Sequence, residues 1–197
     1  MIPIVLALAV AGSTGYPTNL EMAEQVVTES VTSLADSLGD AGIDDVSLEV
    51  VGEHAGNWLV EQSARAVLSD HGVSVAADRT GGGMPVLRLR AMDLAVTLGN
   101  TGRSWLFGSK HVDRIARCEL AAELLDSGGV TQRSWRCGGF AEDRIPYSEL
   151  TVLQGSSGEE WITGGTPTSS GGGILEPLVV TGVVASLIYL FYSSRAE

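Results

Sequence analysis

Residues 110–137 read KHVDRIARCELAAELLDSGGVTQRSWRC, and the reading of this stretch decides the fold. In 110–125 the even positions are mostly apolar, at Val112, Ala116, Cys118, Leu120, Ala122 and Leu124. Among the odd ones His111, Asp113, Arg117, Glu119 and Glu123 are polar. That period of two marks a strand with one buried face. Asp126-Ser127-Gly128-Gly129 is a hairpin turn signal, and the next strand starts near Val130. A tight turn centred on Ser127-Gly128 places Leu124 opposite Thr131, Leu120 opposite Trp135 and Cys118 opposite Cys137. Directly opposed residues have Cα atoms about 4.5–5.5 Å apart, within the span of a disulfide. The register, derived from the turn alone, favours a Cys118–Cys137 disulfide over a pair of reduced core thiols.

Working outward, the chain before this hairpin alternates helix and strand. Thr18-Asn19-Leu20-Glu21 has the form of a capping box, and Leu20, Ala23, Val27, Val31, Leu34 and Leu38 recur at helical spacing up to Gly39. Val46–Val51 reads as a strand, Asn57–His71 as a second amphipathic helix closed by Gly72, and Val73–Ala77 as another strand. Strand, helix and strand within so short a span predict a parallel crossover. After it come strands only: Val86–Leu98, the two hairpin strands and a last one at Tyr147–Leu153. The fold class expected is α+β: a two-layer sandwich with two helices on a mixed, mostly antiparallel sheet, plus one C-terminal transmembrane helix.

The ends of the chain set its expected compartment. Ile2–Ala11 is a short apolar run ending in Ala-Val-Ala, so residues 1–15 read as a signal peptide, although no Lys or Arg precedes the run. Residues 155–173, GSSGEEWITGGTPTSSGGG, are dominated by Gly, Ser and Thr and read as a tether. Residues 174–192 are almost free of charge, about 28 Å long as a helix, and end in Tyr189, Phe191 and Tyr192 before Arg195. They are expected to form a single-pass anchor, followed by a cytoplasmic tail at 193–197. The domain at 18–154 would then lie on the periplasmic side of the cell inner membrane.

Of 197 residues, 24 are acidic and 12 basic, a net charge of −12. The acids concentrate early in the domain, and the bases between Arg79 and Arg136. This is either a solvated acidic face or a dipole that orients the domain against a charged partner. Nucleic acid is not an expected partner, because phosphate neutralisation needs clustered Lys and Arg. No cofactor, metal site or catalytic constellation is expected. His54, His71 and His111 show no metal-ligand spacing with either cysteine. Gly102-Arg-Ser-Trp-Leu-Phe-Gly108-Ser-Lys110 imitates a phosphate-binding loop, but it lacks a Ser or Thr after Lys110 and leads into a strand. Its Trp105, Leu106 and Phe107, with Arg103 and Lys110, form a candidate partner contact, since interfaces favour aromatic residues beside cations.

The run DSGGVTQRSWRCGGFAEDRIPYSELTVL at 126–153, with LEPLVVTGVVASLIYLFYSSR at 175–195, resembles uncharacterised bacterial envelope proteins with a signal, a small α/β domain and a C-terminal anchor. The domain is also faintly similar to the periplasmic domain of curli-type secretion lipoproteins, whose lipobox cysteine is absent here. The resemblance implies an envelope location and no particular activity. Two functions remain: a non-enzymatic adaptor or assembly subunit of a membrane complex, or a ligand-binding or sensory domain acting through a membrane partner.

Overall fold

The computed structural model describes residues 15–76, 83–103, 108–155 and 159–169. Helix α1 (Asn19–Asp40) starts where the sequence predicts. The Thr18 hydroxyl accepts from Glu21 N–H, and the Glu21 carboxylate accepts from Thr18 N–H, which closes the capping box. Strand β1 (Asp45–Val51) and helix α2 (Asn57–Asp70) follow, then the short strand β2 (Ser74–Ala76). Strands β3 (Val86–Arg103), β4 (Lys110–Leu125) and β5 (Thr131–Pro146) are long. A 3₁₀ turn at Tyr147–Glu149, helix α3 (Leu150–Gln154), helix α4 (Glu160–Thr163) and the two-residue strand β6 (Thr168–Ser169) complete the described chain.

The strand order is β2-β1-β3-β4-β5, with β6 pairing the far end of β3. The pairs β2–β1, β1–β3 and β3–β6 are parallel, while the two long ladders β3–β4 and β4–β5 are antiparallel. Both long helices cover one face. Val26, Val27, Val31, Leu34 and Leu38 of α1 pack with Leu59, Val60, Ala64 and Leu68 of α2 onto Leu87, Leu89, Leu94, Val96, Leu120 and Ala122 of the sheet. Leu98, Val112, Ile145, Leu150 and Leu153 form a second, smaller core at the far end.

Between the two cores, on the same face of β4, lies Arg114 with none of its surface exposed. Its Nε donates to Asp143 Oδ1 at 2.9 Å, its Nη1 to Asn19 Oδ1 at 2.9 Å, and its Nη2 to the Pro17 carbonyl at 2.8 Å and to Asp143 Oδ2. Asn19, also fully buried, passes the network on by donating from Nδ2 to the Ile162 carbonyl at 2.7 Å. A charge can be taken out of water only when a counter-charge and hydrogen bonds replace the solvent. Here one guanidinium ties β4, β5, α4 and the entry to α1 together.

The structure corrects the expected fold in four respects. No helix among the described residues is long and apolar enough to cross a membrane. The segment 174–192, the tail 193–197 and nearly all of the signal 1–15 lie outside the described residues. The described residues hold four α-helices rather than two: Tyr147–Leu153, read as a strand, folds as a 3₁₀ turn and α3, and α4 arises within the expected tether. Leu150 and Leu153, three positions apart, both reach the smaller core only from a helix. Part of the expected tether belongs to the domain: Ile162 is buried, Trp161 packs on the main core, and β6 pairs with Asn100 and Thr101. Finally, β3 is bulged. Its buried positions are odd at Leu87 and Leu89 but even at Leu94, Val96 and Leu98, with Met92 as the unpaired residue.

Helix α1 crosses β5 at Gly139, where an added Cβ would fall within the van der Waals shell of the Val26 carbonyl oxygen. Gly139→Ala is expected to cost about 1–3 kcal/mol or more, read as a lower urea midpoint at unchanged slope. Asp143→Ala leaves Arg114 buried without its counter-charge and is expected to cost about 3–5 kcal/mol in the same assay. A midpoint unchanged in either variant contradicts the packing described.

Candidate interaction surface

The cysteines come first, because they were the strongest expected pairing. Both thiols are buried and free. The reason lies in the turn. Asp126 Oδ1 accepts from Gly128 N–H and Val130 N–H, both at 2.9 Å, and Asp126 N–H donates to the Val130 carbonyl at 3.0 Å. The N–H groups that donate to the carboxylate, that of Val130 foremost, hold the Asp126 carboxyl below its usual pKa. Gly129 takes a positive φ of 81°. The connection is therefore longer than the two-residue turn assumed from sequence, and the ladder shifts between Leu124 and Leu125. Cys118 lies opposite Gly139, and Cys137 opposite Leu120. A slip of two keeps both thiols on the helix-covered face but makes them diagonal neighbours, where Cα atoms are about 7–8 Å apart. The disulfide is thereby corrected to two separate core thiols.

Burial pushes the Cys118 thiol up to about 11, against a hydrogen bond with Ser30 that works in the opposite direction. Burial also raises Cys137, with Ser33 opposing. Thiols held this way are poor nucleophiles, since the thiolate is the reactive form. Among the described residues no cluster of His, Cys, Asp and Glu could hold a metal ion.

The predicted contact loop is only partly described. Trp105, Leu106 and Phe107 lie outside the described residues, and Arg103 stands opposite Lys110 at the end of the β3–β4 ladder. The Lys110 ammonium sits 4.0 Å from the centre of the Tyr147 ring, a cation–π contact within the domain. Ser109 and His111 share a hydrogen bond of 3.1 Å beside it. Of the other bases in the positive segment, Arg114 is buried against Asp143 and Arg88 pairs with Glu49 at 3.0 Å. Much of the positive charge is thus spent on the domain's own acids and on one aromatic ring.

What remains is a surface that sequence reading did not single out. The sheet face opposite the helices carries no layer of its own among the described residues. Two of the exposed large apolar side chains stand on it, Met92 at 51% and Phe140 at 55%. The ladders place Ala95, Arg117 and Phe140 in one row, and Thr97, Ile115 and Glu142 in the next. Arg117 is exposed, and Ile115 and Ala95 are half-buried. The result is an apolar strip around one cation. Its borders are charged: Arg136 pairs with Glu119 at 3.4 Å, and Arg144 with Asp113 at 2.6 Å, which raises the Arg144 pKa. The outer edge of β5 beside the strip is partly closed, for Glu29 of α1 accepts from Phe140 N–H at 3.4 Å. The missed signal is the phase change at Met92, which moves Ala95 and Thr97 to this face.

No protein-family model matches the chain, and no curated protein matches its sequence. Solved structures match weakly. A minor lipoprotein from Acinetobacter baumannii is 16% identical, with a TM-score of 0.37, over 57% of this chain and 81% of that one. An uncharacterized lipoprotein B from Nitrosomonas europaea is 13% identical with a TM-score of 0.33, over 56% and 72%. A neuraminyllactose-binding hemagglutinin homolog from Helicobacter pylori is 15% identical with a TM-score of 0.32, over 52% and 70%. Two of the three are lipoproteins. None bears on a C-terminal anchor or on curli-type secretion, and likenesses of this size place no residue of this chain in a functional site.

The thiols make a pH-dependent prediction. Because folding raises the Cys118 pKa from about 9 to about 11, the folded state holds its proton more tightly than the unfolded state does. Stability should be undiminished below pH 9 and fall as pH rises from 9 to 11. In Cys118→Ala the loss over that window should be smaller, and urea midpoints across the range read it directly. Unreduced protein should yield both thiols to labelling once denatured, and little to labelling when folded.

Proposed function

We propose that the chain is a non-enzymatic module of the cell envelope, an adaptor or assembly subunit that binds a protein partner on its uncovered sheet face. The observation that carries this reading is the strip of Met92, Ala95, Ile115, Arg117 and Phe140. Single exposed apolar residues are ordinary on a protein surface. A contiguous set with an arginine at its centre and charged pairs at its rim has the make-up of an interface core. The envelope part of the reading draws support from the apolar run near the N-terminus and the Gly/Ser-rich stretch before an uncharged C-terminal segment.

Such a partner should be retained when the full chain is purified from detergent extracts. Phe140→Asp and Arg117→Glu are each expected to weaken that association at least tenfold, to judge from what central interface residues contribute, about 2 kcal/mol or more. Folding stability should stay within about 0.5 kcal/mol of wild type, since both side chains point to water. Undiminished retention of the partner in both variants would falsify the assignment of this face.

A further inference from the structure

We infer that one end of the domain rests against the headgroup region of a zwitterionic lipid bilayer. Several elements meet at this end. Arg114 bonds to Pro17 and Asn19, which puts the start of α1 beside the start of β4. His111 pairs with Pro146, which puts the end of β5 and the turn to α3 there too. Ile162 of α4 closes on Asn19.

Exposed large apolar side chains concentrate here: Tyr16 and Leu20 before and in the first turn of α1, Tyr147 after β5, and Val152 at 66% on α3. At the opposite end, among the described turns, only Val130 is comparable, and the turns of that end carry the acids Asp40, Asp44, Asp70 and Asp126. Tyrosines beside aliphatic residues suit the interface of a bilayer, where a ring can be buried while its hydroxyl stays wet.

The course of the chain names the occupant. Both boundaries of the described domain lie at this end. Gly15 and Tyr16 precede α1, and Thr168–Ser169 runs parallel to Asn100–Thr101, towards the same tip of the hairpin. The flanking sequences that continue from these two points contain the apolar run 2–11 and the uncharged stretch at Leu178–Tyr192. Apolar stretches in the sequence beyond both of these points, and an end that itself bears exposed tyrosines and aliphatics, fit a lipid surface better than a water-facing cap. The charge there selects the lipid. Glu21, Glu149, Glu159 and Glu160 outnumber Lys110 and Arg144, the cations whose side chains are described at this end, and Arg144 is already paired with Asp113, so an anionic surface is disfavoured and a zwitterionic one is not.

The test uses the full chain in phosphatidylcholine vesicles containing a lipid with a quencher at headgroup depth. Single cysteines are introduced as L20C and V152C at this end and as D45C and V130C at the other. They carry an environment-sensitive fluorophore attached at neutral pH, where the buried native thiols react slowly. The expected result is several-fold stronger quenching at 20 and 152 than at 45 and 130, reduced when part of the phosphatidylcholine is replaced by phosphatidylglycerol. Equal quenching at the two ends, absence of quenching at 20 and 152, or an increase with phosphatidylglycerol overturns the inference. This readout is independent of the Phe140 and Arg117 variants, so the sheet-face reading and the lipid-facing end can fail separately.

Discussion

The structure depends most on the burial of one positive charge. Arg114 sits on the face of β4 that hydrophobic alternation reserves for apolar side chains, and it has no access to water. Removing a guanidinium from solvent costs several kcal/mol unless its donors are matched. Asp143 on β5, and Asn19 with the Pro17 carbonyl at the entry to α1, match them from two remote parts of the chain. The arrangement exists only when β5 is in register with β4, when α1 begins at its capping box and when the segment before α1 is in place. A hydrophobic core tolerates sliding; a buried bidentate ion pair does not.

That constraint explains the division of the interior. On one side of Arg114 the two long helices build a conventional core on the sheet. On the other side the ladder runs on past the start of α1, and the chain must supply a new cover for Leu98, Val112 and Ile145. Helix α3 does so through Leu150 and Leu153. Helix α4 then fills the space between the start of α1 and the turn leading into α2, where Trp161 meets His54 edge to face with ring centres 5.7 Å apart. Asn19, bonded both to Arg114 and to Ile162, links the two regions.

The opposite face of the sheet owes its character to two irregularities in the ladders. The bulge at Met92 reverses which side chains of β3 face the helices, and the longer turn at Asp126–Val130 moves β5 by two residues against β4. Together they set Ala95, Arg117 and Phe140 in one row on the bare face, and bring Gly139 under Val26 on the other. The close approach of α1 to β5, the separate thiols and the apolar strip thus follow from these two irregularities.

Much of the secondary structure was determined by local sequence alone. The capping box at Thr18–Glu21, the helical periodicity of α1 and α2, the parallel crossover and the alternation through β4 all follow from neighbours within a few residues, and such patterns are legible without the rest of the chain. The phase change in Val86–Leu98 was equally on view and marks the bulge. Other features were decided only in three dimensions. Whether Asp126 accepts two backbone N–H groups, and so lengthens the turn, depends on a side-chain rotamer that composition does not report, and the Cys118–Cys137 expectation failed on that point. Arg114 reads as one more surface cation until Asn19 and Asp143, remote in sequence, converge on it. Leu150, Leu153, Trp161 and Ile162 look like the start of a tether because the apolar surface they cover is assembled from distant strands. Local periodicity specifies which elements form; long-range hydrogen bonds and the area left uncovered specify how they meet.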